Sequence, residues 1–165
     1  MILELLQNVA LLVALAVGLQ MIARRLHRQS VYYRILLGLL FGAVGIAGMM
    51  TPLRFAEGVI YDGRSIILTL AGLFGGPVTA LIAGILCAAY RGYLGGPGAL
   101  PGILVILEAG AIGILLHYLR RRNEYWVSTV SLLGFGLLVH AVMLALQLLI
   151  PGGLGWEVFH KIGWV

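Results

Sequence analysis

Three groups of residues carry side chains that could do chemistry. Asp62-Gly63-Arg64 and Arg91 flank a long apolar run, Gly95-Gly96-Pro97-Gly98 follows it, and Glu108 lies inside the next run. Two guanidinium groups at the two ends of one element could hold an anion, because each offers parallel donors that fit a carboxylate or phosphate. The start of a helix beside Arg64 would add the positive end of its dipole. A plainer reading uses the same residues: Asp62 pairs with Arg64, and Arg91 snorkels to lipid phosphate. The glycine-rich segment, with Pro101-Gly102 after it, is either a loop whose backbone N–H groups form an anion nest or a tight turn. It lacks the preceding strand and the lysine of a nucleotide-binding loop. Glu108 is an ionisable group at membrane depth, which points to a bundle interior, a cavity or a pairing with His140. His140, Asn8, Gln20 and Gln147 otherwise read as polar links between helices.

These residues sit in a chain of unusual composition. Hydrophobic residues make up 61% of its 165 positions and charged residues 10%, with a mean hydropathy of +1.05. A soluble domain needs a surface that is roughly a quarter to a third charged. Leu5–Ala23 and Val127–Ile150 are long enough to cross a hydrocarbon core of about 30 Å as helices. They lack the alternation of membrane strands. The fold expected is an all-α, polytopic transmembrane bundle.

The net charge of +5 does not imply nucleic-acid binding. Arg24, Arg25, Arg28 and Arg34 flank one short loop and Arg120–Arg122 another, which is the positive-inside pattern of membrane topology. Positive charge follows the first apolar block instead of preceding it, so that block is expected to be a retained span with its N-terminus outside, not a cleaved leader. The single cysteine, Cys87, has no second thiol for a disulfide or metal site. No Ser/His/Asp set, metal cluster or carboxylate pair is evident, so no enzyme activity and no cofactor are expected.

Five apolar blocks are visible, at 3–23, 34–50, 65–90, 102–119 and 127–150. Aromatics such as Tyr32, Tyr33, Tyr61, Tyr125 and Trp126 fall at block edges, where they anchor at the interface. If residues 65–90 crossed once, the two arginine clusters would lie on opposite sides of the membrane. An even number of passes removes that conflict, and Gly75-Gly76-Pro77 supplies the turn. The arms would hold about ten and thirteen residues, roughly 15 and 20 Å long. A re-entrant helical hairpin, or two short tilted helices entering from outside, follows. Such broken helices at depth point to binding sites. Gly38, Gly42 and Gly45 are expected to let helices approach closely.

The ordered set Asp62-Gly63-Arg64, Leu73-Phe74-Gly75-Gly76-Pro77, Tyr90-Arg91 and Leu94-Gly95-Gly96, with Asn8 near the start of the first span, resembles the five-transmembrane receptor domain of the LytS–YhcK type. The resemblance covers nearly the whole chain. It implies a sensor domain of the bacterial inner membrane ahead of a histidine kinase or diguanylate cyclase output. It also implies a small carboxylate such as pyruvate as ligand, Arg64 and Arg91 as ligand contacts, and Gly102 and Val105 near the site. Some relatives carry thiol or hydroxyl groups where this chain has glycine or apolar residues. Five complete crossings plus the broken segment are implied, with the C-terminal end inside. The chain is thus expected to be one sensor domain, 1–165, cut before a last span and an output domain. The lipid bilayer is its environment, and a homodimer is plausible because both output types commonly act as dimers. The rival expectation is the substrate-binding component of a vitamin transporter, whose small all-helical domains also use a glycine–proline break.

Overall fold

The computed structural model describes residues 2–27, 30–50, 53–56, 59–61 and 63–148. It contains helices α1 (Ile2–Arg25), α2 (Val31–Met50), α3 (Arg64–Leu94), α4 (Ala99–Arg122) and α5 (Thr129–Gln147), with a short 3-10 turn at Glu124–Val127. Among the described residues, four helices are long and apolar enough to cross a membrane: α2, α3, α4 and the 129–146 part of α5. At about 1.5 Å per residue, α1 is also long enough.

Between the second and third apolar blocks, the chain forms a two-stranded antiparallel ribbon of β1 (Leu53–Ala56) and β2 (Val59–Tyr61). Its cause is local: two short runs holding Phe55, Val59, Ile60 and Tyr61 are separated by two residues, the second a glycine. The ribbon is the one departure from an all-helical chain among the described residues.

The break in α3 decides the architecture. Gly76 has φ 73° and ψ −166°, a left-handed conformation that favours glycine. Pro77 follows and has no N–H, so the carbonyl of Leu73, four residues earlier, loses its helical donor. His117 of α4 takes that place, with Nδ1 3.0 Å from the Leu73 oxygen. A carbonyl only accepts, so the imidazole donates through Nδ1–H. The fully buried Thr79 hydroxyl lies 3.1 Å from the Gly75 carbonyl and 2.9 Å from that of Arg34 at the start of α2. The turn is therefore held to both neighbouring helices by side chains. His117→Leu would leave the Leu73 carbonyl buried without this donor. We expect it to cost about 1–3 kcal/mol, read as a lower unfolding temperature in detergent. An unchanged midpoint would mean that another donor replaces the imidazole.

The arms, 64–75 and 77–94, are about 18 and 27 Å long. The second is longer than the sequence suggests, because its helix continues past Arg91 to Leu94. Both arms start from one end of the bundle, where Arg64 and Arg91 approach Gly102. The turn sits at the opposite end, beside His117 and the first turn of α2. Arg24, Arg25, Arg34 and Arg120–Arg122 belong to the helix ends at this turn side. The even number of passes inferred from charge is thus what the chain adopts.

Small residues let the elements close up. A Cβ on Gly38 would fall 2.7 Å from Ile82, one on Gly42 2.6 Å from Leu86, and one on Gly45 2.6 Å from the Cys87 sulfur. These contacts seat the second arm on α2. The core, including Leu37, Phe41, Leu68, Ala71, Ala83, Cys87, Ile106 and Ala109, lies between α2, α3 and α4. By contrast α5 is largely exposed, with Val130, Leu133 and Leu137 facing outward, as lipid-facing side chains do.

Candidate functional site

The site is built where the two arms end. Arg64 opens the first arm and Arg91 closes the second, and both are buried, at 6% and 2% exposure. Few side chains are less suited to burial, so their placement demands a reason. Their guanidinium groups meet over the first turn of α4. A Cβ placed on Gly102 would lie 2.7 Å from Arg91 Nε and 3.2 Å from Arg64 Nη2. Glycine at 102 thus makes room for both charges against the helix backbone.

The loop between α3 and α4 is fixed to the same group. Arg91 donates from Nη1 to the Gly95 carbonyl at 2.8 Å. Gly95 and Gly96 have φ of 63° and 83°, which glycine accepts readily. They turn the chain so that α4 starts beside the guanidinium groups. Gly102 N then donates to the Gly98 carbonyl at 3.0 Å, and Pro101 is accommodated in the first turn. The N-termini of α3 and α4 therefore lie at one mouth with two buried cations, and both dipoles add positive potential there. Such a concentration of positive charge and directed donors suits a small anion.

Glu108 sits two turns further along α4. Both of its carboxylate oxygens are buried, and neither has a hydrogen-bond partner among the described residues. The pairing with His140 considered from sequence does not form. His140 lies on an exposed face of α5, because the helical period places it beside the buried Val139 without turning it inward. Asp62 lies outside the described residues. Asn8 belongs to α1, but its side chain lies outside the described part. Arg64, Arg91, Gly95, Gly96 and Gly102 are gathered at the mouth, and Val105 is buried one turn below Gly102.

His117, Thr79 and Thr69 were not singled out from sequence. The Thr69 hydroxyl reaches the Ser65 carbonyl at 2.8 Å and the Ala109 carbonyl of α4 at 3.3 Å. A proline within an apolar helix always orphans the carbonyl four residues before it. A search for donors in neighbouring blocks would have reached His117.

The family model described as 5TMR of 5TMR-LYT fits residues 19–164. The chain belongs to this five-transmembrane receptor family. The matched span contains the whole hairpin, the glycine loop and Glu108, and it begins after Asn8. No curated protein and no solved structure matches the chain. The receptor family and the apolar helices agree on a multi-pass membrane sensor domain.

Proposed function

We propose that this receptor domain binds a small anionic metabolite, a carboxylate, between Arg64 and Arg91, and passes the event to a cytoplasmic histidine kinase or diguanylate cyclase. The observation that carries the reading is the meeting of two buried guanidinium groups over Gly102. The arginine clusters at the turn end support an orientation with that end in the cytoplasm and the mouth outside. The protein would then sit in a bacterial inner membrane with its N-terminus outside.

The hairpin suggests how binding is transmitted. An anion drawing Arg64 and Arg91 together acts on both arms at once. The turn joining the arms contacts α2 through Thr79 and α4 through His117, so displacement at the mouth reaches the cytoplasmic end. A ligand shifts such an equilibrium only by its differential affinity for the two states.

The test is thermal unfolding of the purified chain against small carboxylates, inorganic phosphate and vitamins. A ligand at a hundred times its dissociation constant should stabilise the fold by about 2.7 kcal/mol. Saturable stabilisation by one or a few carboxylates is the expected result. Stabilisation by a vitamin alone would overturn it in favour of a transporter component.

A further inference from the structure

Glu108 has no task in the fold or in the capture of an anion. Both its oxygens are buried and lack a hydrogen-bond partner among the described residues, a costly arrangement for a carboxyl group at membrane depth. Buried polar groups in folded proteins nearly always find partners, and an exception calls for a functional account.

The position of Glu108 supplies one. Gly102, Val105 and Glu108 follow each other at three-residue steps on α4, which places them along one slanting ridge of the helix. The rise from Gly102 to Glu108 is about 9 Å along the axis. Helical side chains lean toward the N-terminus, so the carboxyl group lies nearer the mouth than its own backbone does. Along that ridge Val105, buried and apolar, is the residue between Gly102 and Glu108. From the arginines packed over Gly102, the ridge thus runs through a short apolar step to an acceptor about a third of a turn round the helix.

We infer that the mouth is built for a short-chain acid that carries a hydrogen-bond donor at its far end, an ω-hydroxy or ω-amino acid, with Glu108 receiving that donor. This rests on the anion reading of Arg64 and Arg91. The anionic end lies between the arginines and the methylenes pass over Val105. The terminal hydroxyl or ammonium donates to a Glu108 oxygen. A ligand of this kind satisfies a group that no described residue partners, so specificity arises from a penalty on acids lacking the donor.

The experiment compares propanoate, butanoate and pentanoate with their ω-hydroxy and ω-amino counterparts, using affinities from the concentration dependence of thermal unfolding. The quantity read is the ratio between each substituted acid and its parent, in the wild-type chain, in Glu108→Leu and in Glu108→Gln. At one chain length at least, a substituted acid should bind about tenfold more tightly than its parent. That ratio should fall to near one in Glu108→Leu. Glu108→Gln, which keeps an acceptor but no charge, should lose the preference for ammonium and retain part of that for hydroxyl. Should Glu108→Leu not fold, the glutamine variant carries the test alone. Ratios near one at every chain length, or a preference that survives Glu108→Leu, would overturn the inference and leave the anion reading intact. Failure of every one of these acids to stabilise the wild-type chain would overturn the inference, and the wider panel of small carboxylates and phosphate would then decide the anion reading separately.

Discussion

Replacing Arg91 by alanine is expected to abolish stabilisation by the anion, with a loss in affinity of a hundredfold or more. The side chain is 2% exposed and its Nη1 already holds the Gly95 carbonyl, so it is fixed in place before any ligand arrives. A preorganised guanidinium gives up little side-chain entropy on binding. Truncating one partner of a buried, hydrogen-bonded charge pair costs about 2–5 kcal/mol, and each 1.4 kcal/mol is a factor of ten. Arg91→Lys should recover only a small part, because an ammonium cannot reproduce two parallel donors while also holding Gly95. Arg64→Ala should weaken binding without freeing the glycine loop, since Gly95 is held from Arg91. The checks are thermal shift with the active carboxylate and circular dichroism without it. A helical Arg91→Ala chain that still responds to the ligand would refute the site. A chain that loses its helicity would show Arg91 to be structural, and Arg64→Ala would then decide the question.

Much of this site was legible because it depends on chain grammar. Gly75-Gly76-Pro77 forces a break wherever it falls in an apolar run, and the charge clusters require an even number of passes around it. Once the hairpin is accepted, Arg64 and Arg91 must share one end, whatever the packing. Partners across helices were not legible in this way. The need of the Leu73 carbonyl for a donor follows from Pro77, but its answer by His117 depends on α4 lying against the first arm. Depth along a span can be counted in residues, whereas azimuth depends on which helices surround it. For that reason a Glu108–His140 pair remained one of the readings open to the sequence, and the pair does not form. The ribbon at Leu53–Tyr61 is short enough to be hidden by its apolar neighbours.

Gly72→Ala is expected to give a large loss of stability while leaving the mouth untouched. Its new methyl would meet the Gly113 carbonyl carbon at 2.6 Å, Ile114 N at 2.7 Å and Gly113 Cα at 2.8 Å. All three are backbone atoms of α4, and none can swing aside as a side-chain tip could. The first arm would have to move away from α4 along its length. Two contacts that depend on that approach flank the site: the Thr69 hydroxyl to Ala109 at 3.3 Å, and His117 to Leu73 at 3.0 Å. Within a bilayer, separated helices gain no compensation, because lipid tails are as apolar as the packed side chains they replace. Overpacking of this kind costs about 1–3 kcal/mol, and the backbone contact places Gly72→Ala at the upper end. Gly134→Ala on α5 is the control, because nothing lies within 4 Å of its Cβ position and alanine favours a helix by up to about 1 kcal/mol. Unfolding in mild detergent with increasing denaturant should separate the two clearly. Equal midpoints would show that the first arm is loosely held and would remove the rigid link by which Arg64 acts on α4. The expected outcome keeps that link: the first arm moves with α4, the second is seated on α2 through Gly38, Gly42 and Gly45, and Gly76 is the joint between them.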